Sequence, residues 1–142
     1  MASAVTDHRD VLRALIDAAI TGDAGALGDL VTDDVVGWSP NLLITSRSEL
    51  EAVLEGREEA FTNIEASIDA VDGVGDKVAA EWHLAADHTG PLFVDDDVSI
   101  EPTGRRLHLA GATFAEFDGD RIKAFRHYFD DLALLEQALL DD

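Results

Sequence analysis

The segment FRHYFDD, Phe125 to Asp131, places a guanidinium, an imidazole, a phenol and two carboxylates within six consecutive positions. An imidazole titrates near neutrality and can shuttle a proton. A carboxylate can do the same where apolar surroundings raise its pKa. Under strand alternation His127 shares a face with Phe125 and Phe129, so its ring is one of two things. It is either a titratable group in an apolar cavity that Phe125 helps to wall, or a core histidine bonded to a backbone carbonyl. Alternation fixes which residues share a side, but not which side is inside. Asp130 is the second acid/base candidate, and equally a cap for the helix that DLALLEQALL should form. Asp131 reads as a solvated first-turn acid.

Three of the four other histidines fall on or beside the strands. His88 has the parity of Trp82 and Leu84, so it faces inward at a strand end, or else belongs to an exposed loop in DHTG. His83 falls on the opposite face, so the two cannot chelate together. No His, Asp or Glu spacing makes a metal site, and we expect neither metal nor cofactor. His108 depends on the next hairpin: a two-residue Asp118-Gly119 turn sets it opposite Phe129, a three-residue turn opposite Asp130, and the D-G dipeptide favours the former. Trp38 and Trp82 are either walls of a ligand cavity or ordinary core. The acids Asp95–Asp97 read as a solvated loop. No serine sits in a nucleophile elbow and no Gly-rich phosphate loop is present.

The elements that must position these groups follow from periodicity. Val11, Leu12, Leu15, Ala19 and Ile20 recur at helical spacing, and a turn, a short second helix and a strand VVGWSP stopped by Pro40 follow. SRSELEAVLEGREEAF opens with Ser46 and Glu49 in capping-box spacing. From Asn63 the period becomes alternating. Ile64, Ala66, Ile68 and Ala70 share one face, GVGD turns the chain, and Val78, Ala80, Trp82, Leu84 and Ala86 share a face on the return. Strands over about 105–117 and 121–129 and a leucine-rich helix complete an α+β chain, a long antiparallel meander with helices packed on one sheet face. No repeat or linker divides residues 1–142, and we expect a single domain.

This order, with GDKVAAEWHLAADHTGPL, PTGRRLHLAG, FAEFDGDRI and DDLALLEQ, resembles the nuclear transport factor-like cone fold. Within it, the chain is most similar to the SnoaL-like polyketide cyclases and the ester cyclases grouped with them. The family's G-T-H is ADH here, which keeps His88, and Arg126 stands where a tryptophan is usual. Asp130 matches the aspartate that closes the last strand. FRHYFD also resembles the W-R-D-Y-F-D segment of limonene epoxide hydrolase, with His127 at the place of a catalytic aspartate; the second catalytic aspartate has no counterpart. The resemblance implies a homodimer, a small apolar or aromatic ligand, and cofactor-free acid/base chemistry such as cyclisation or isomerisation. On this reading Asp130, His127 and His88 carry the catalysis, and Trp38, Trp82 and Phe125 are the substrate contacts that residue type and strand face suggest. The alternative is a non-catalytic ligand-binding or dimeric scaffold.

Composition narrows the partners. Thirty acids against ten bases give a formal charge of −20, which repels phosphates, so neither nucleic acid nor an anionic membrane is an expected partner. There is no cysteine, and MASAVTDHRD carries no charged-then-apolar export signal, so a cytoplasmic location is expected. The acids are spread along the whole chain, as in hydrated, salt-adapted surfaces. The thermal midpoint should therefore rise between low and molar salt; a midpoint that stays level would remove the salt-loving reading.

Overall fold

The computed structural model describes residues 7–40, 42–55, 61–93 and 99–139; the acids Asp95–Asp97 lie outside them. The Asp7 carboxylate accepts the Arg9 amide at 2.9 Å and caps α1 (His8–Thr21), which ends on Gly22 in the left-handed region. Val11, Leu12, Leu15 and Ile16 form its buried stripe. A short 3-10 turn, Ala24–Asp29, buries Ala24 and Leu27. The chain then runs through β1 (Val31–Ser39), β2 (Leu42–Ile44) and α2 (Arg47–Glu55). Ser46 Oγ accepts the Glu49 amide at 3.1 Å, as a capping box requires. The Glu49 carboxylate reaches one residue further back than that motif predicts, to the hydroxyl and amide of Thr45, and those bonds lower its pKa.

The second half supplies β3 (Phe61–Val74), β4 (Lys77–His88), β5 (Leu92–Phe93), β6 (Ser99–Ile100), β7 (Arg106–Asp118), β8 (Arg121–Phe129) and α3 (Asp131–Leu139). Six strands form one sheet in the order β2-β1-β8-β7-β4-β3, and β5 pairs with β6 apart from it. The sheet is antiparallel except between β1 and β8, which run parallel, so it is mixed where a wholly antiparallel sheet was expected. β1 also begins at Val31, earlier than VVGWSP suggested. α1 lies against β3, β4 and β8, and the core beneath it joins Leu12 and Leu15 to Val78, Ala80, Ala115, Phe117 and Ile122.

Register is where alternation alone falls short. Both long hairpins turn on a Gly-Asp pair, Gly75-Asp76 and Gly119-Asp120, with the glycine at φ +60° and +62°. A positive φ at the first central position is what a type II′ turn needs, and glycine adopts it without steric penalty. The second turn therefore sits one residue later than an Asp118-Gly119 reading, pairing Asp118 with Arg121. A bulge then inserts Lys123: Phe117 pairs with Ile122, but Glu116 with Ala124. The β7–β8 pairing ends at Gly111 and Phe129, so His108 has no partner on β8 in either anticipated register. A further bulge lies between Ile68 and Ala70: the register there passes from Ile68 opposite Trp82 to Ala70 opposite Glu81, and Val71 packs against the core.

His8 ties this frame together. Its Nδ1 and Nε2 lie 3.1 and 2.9 Å from the carbonyl oxygens of Gly75 and Gly119, one in each of the two hairpin turns. Carbonyls only accept, so each of these bonds is made through a protonated ring nitrogen. It also stacks on Phe117, with ring centroids 3.9 Å apart. At about 1 kcal/mol net per hydrogen bond, His8→Ala should lower the thermal midpoint by roughly 5 °C. His8→Phe keeps the stack without the bonds and should recover only part of that loss. A melt unchanged in both variants would show that the clamp contributes nothing.

Candidate functional site

The insertion at Lys123 decides which side chains look inward. Beyond it Phe125, His127 and Phe129 share the inner face with Ile122, while Arg126 and Tyr128 point outward. On β7 the inner set is Leu107, Leu109, Gly111, Thr113, Ala115 and Phe117, and on β4 it is Val78, Ala80, Trp82, Leu84, Ala86 and His88. Beneath α1 these positions are buried. Farther along, Leu84, Leu109, Gly111, His127 and Phe129 form a contiguous belt that keeps accessible surface. Beyond the belt a second small cluster, Leu107 and Ala138 with Phe61 and Ile100, closes the rim. Among the described residues the inner face is thus buried at both ends and half-buried between them.

One chain of side-chain hydrogen bonds runs beside the belt. The Trp82 indole Nε1–H donates to Thr113 Oγ1 at 3.0 Å, and Thr113 Oγ1 lies 2.6 Å from His127 Nδ1. Thr113 is fully buried. Trp82 reaches it because it crosses β7 at Gly111, where a Cβ would come within 2.6 Å of the indole and of the Tyr128 carbonyl. Phe125 is seated in the same way: its ring lies over Gly37, where a Cβ would fall 2.3 Å from it. The rings of Phe125 and His127 are 5.0 Å apart. Burial disfavours the imidazolium and pushes the His127 pKa down to about 4.

The other expected residues separate. His88 is inward and fully buried at the end of β4, tied to the Pro102–Arg105 turn. Its Nδ1 accepts the Thr103 amide at 3.3 Å and meets the Thr103 hydroxyl at 3.0 Å, while its carbonyl accepts the Gly104 amide at 2.8 Å. Its Nε2 is buried, with no hydrogen-bond partner of ordinary geometry among the described residues. Desolvation lowers its pKa, with the nearby Gly90 carbonyl opposing. Asp130 is exposed and its Oδ1 accepts the Ala133 amide at 2.9 Å, so it caps α3. It continues the outward parity of Arg126 and Tyr128, and with His83 and His108 it lines a depression of about 520 Å³ that Leu84 and Leu109 of the belt also border. Trp38 departs from its expected place for the same reason. It pairs with Arg126, is 39 % exposed, and packs on the outward Tyr128 ring at 5.2 Å.

Outside the hollow, Arg106 binds Asp87 and Glu65 at 3.0 and 2.6 Å, and His83 bonds Asp69, which lowers the pKa of that carboxyl. A second groove, about 590 Å³, lies among Asp29, Asp33, Asp118, Asp120 and Arg121. No group of three or more metal-type side chains among the described residues is arranged to hold an ion. Thr113 was invisible to sequence reasoning, since threonine in a strand reads as a generic β-former. Gly111 was the available signal, because a glycine inside a strand marks a close approach.

A curved mixed sheet over N-terminal helices, with an inward polar group among apolar side chains, is the architecture of the cone-shaped α+β proteins. The SnoaL-like polyketide cyclase model matches residues 9–138, and the chain belongs to that family. A candidate SnoaL-like polyketide cyclase from Jannaschia sp. CCS1 is 17 % identical, with a TM-score of 0.78 over 100 % of this chain and 99 % of that one. A SnoaL-like polyketide cyclase from Agrobacterium tumefaciens is 18 % identical, with a TM-score of 0.69 over 92 % and 96 %. An LEH-like epoxide hydrolase of M. tuberculosis is 18 % identical, with a TM-score of 0.70 over 96 % and 92 %. At these identities the likeness is one of fold. No curated protein matches the sequence.

The depressed His127 pKa has a sign that can be checked. As pH falls below about 6.5, the unfolded chain takes up a proton at this residue, whereas the folded ring stays neutral until about pH 4. Stability present at neutral pH should therefore be lost across that window, by roughly 1–3 kcal/mol given the ring's partly accessible edge. Urea unfolding of wild type and His127→Phe, compared pH by pH, isolates this share from the many carboxylates. Parallel curves would show that His127 is not desolvated.

Proposed function

We propose that the chain is a small-molecule pocket protein of the SnoaL-like kind, one domain over residues 1–142, whose hollow takes a small, largely apolar carbonyl compound. The observation supporting this is the inward His127: it stands among Phe125, Phe129 and Trp82, bonded to a side chain instead of backbone, beside the open belt. Its chemistry on this reading is cofactor-free acid/base catalysis, with cyclisation or isomerisation as the outcome. His127 also stands where the epoxide hydrolase resemblance puts a catalytic aspartate. The names of the structural neighbours, polyketide cyclases and an epoxide hydrolase, fit substrates of this size and polarity. Fold alone does not transfer reaction, so the assignment rests on the residue. His88, sealed behind Thr103, and Asp130, committed to its cap, have supporting roles in this account.

A homodimer belongs to the same proposal. Trp38, Phe114 and Tyr128 form an exposed aromatic patch on the outer sheet face, with Tyr128 edge-on to Phe114 at 5.8 Å. Apolar surface concentrated in this way is what protein partners cover. The acidic surface suits a salt-rich cytoplasm, and no helix among the described residues is long and apolar enough to cross a membrane.

The second reading, a non-catalytic binding or dimeric scaffold, draws on the Asp130 cap and on that patch. Aromatic ketones, steroids and terpene epoxides, screened by thermal shift and then by turnover, separate the two. An enzyme loses about 10²–10⁴-fold in rate with His127→Phe, while Asp130→Asn, which keeps the cap, leaves turnover essentially unchanged. Binding without turnover across the panel would establish the scaffold, and the reverse pattern in the two variants would return the chemistry to Asp130.

A further inference from the structure

We infer that the Trp82–Thr113–His127 chain presets His127 as a hydrogen-bond donor to the hollow, so that the site selects ligands bearing a carbonyl or enolate oxygen. The inference rests on the pocket reading above and adds the polarity of its central contact. An indole N–H can only donate, so Thr113 Oγ1 is the acceptor in its 3.0 Å bond with Trp82. The Thr113 hydroxyl has one proton of its own and is fully buried. Its other partner among the described residues is His127 Nδ1, at 2.6 Å. Were Nδ1 protonated, Thr113 would receive two donors and its own proton would be left unpaired in the interior, which is strongly unfavourable. The hydroxyl therefore donates to Nδ1, and the neutral ring carries its proton on Nε2.

Nε2 has no partner among the described residues, and the ring belongs to the open belt. The basic lone pair of His127 is thus occupied by Thr113, and the atom left for a ligand is an N–H. Such a ring polarises an oxygen and holds the charge of an enolate, which is the acid half of the acid/base chemistry proposed above. Thr113 is a positioning residue that fixes the tautomer, and Trp82 fixes the direction of Thr113. Gly111 makes the geometry possible by leaving the indole room to lie on β7.

The tautomer is read directly by long-range ¹⁵N–¹H correlation on the labelled protein, with the His127 ring assigned by comparison with His127→Gln. A protonated Nε2 and a bare Nδ1 are expected in wild type and in Thr113→Ser. Thr113→Val, which keeps the shape and loses the hydroxyl, should lose the preference. So should Trp82→Phe, which frees the hydroxyl to accept. A protonated Nδ1 in wild type, or a spectrum indifferent to both Thr113→Val and Trp82→Phe, would overturn the relay; the wild-type spectrum decides even where a variant fails to fold. For the ligand class, 1-indanone should bind about three- to tenfold more tightly than indane, and that margin should vanish in Thr113→Val. Equal binding in wild type would overturn the selectivity for oxygen. Failure of both probes to bind would overturn the pocket reading itself, while the tautomer spectrum still decides the relay.

Discussion

One inserted residue sets the chemistry of this molecule. At the bulge between Ile122 and Ala124, β8 gains Lys123 relative to β7, and from there on every side chain changes face. A strand with uninterrupted alternation would follow the buried Ile122 with Ala124, Arg126 and Tyr128 inside. It would leave Phe125, His127 and Phe129 on the surface. That arrangement would bury a guanidinium against apolar β7 without a partner, which is costly. The bulge is paired with the Gly119-Asp120 turn, and His8 holds the carbonyl of that turn against α1. Register, turn and helix therefore fix one another.

Two faces with different tasks follow. Inside, the polar atoms beside the belt are few and their hydrogen bonds are directed, from indole to hydroxyl to imidazole. Outside, the aromatic patch of Trp38, Phe114 and Tyr128 sits among carboxylates, with Arg126 bonded to Glu116 at 3.4 Å. Asp130 ends the outward row and begins a helix, so its charge meets backbone donors at the N-terminus of α3. The residue types in FRHYFDD therefore divide between a hollow, a surface and a cap. Their closeness in sequence does not bring them into one site.

Much of the scaffold was legible because it depends on local patterns. The inward set of β4 from Val78 to Ala86 follows strict alternation, and the capping hydroxyl of Ser46 follows from residue type and spacing. What alternation cannot see is an insertion, since each bulge changes face without altering composition. Ile68 to Ala70 and Lys123 are both of this kind. The parallel pairing of β1 with β8 joins residues some ninety positions apart and has no local signature. Trp38 was expected in the hollow because tryptophans read alike whichever face they take; its neighbour Gly37, seated under Phe125, shows that the inward position on β1 is the glycine. Thr113 and His8 act through partners distant in sequence, and nothing adjacent to them announces it.

The account stands on His127 facing the interior, and nuclear Overhauser contacts from its ring protons measure that most directly. Contacts to the Thr113 methyl, the Phe125 ring and the Trp82 indole are predicted. Contacts instead to Ala112 and Phe114, the outward residues of β7, would place the imidazole on the surface and contradict it.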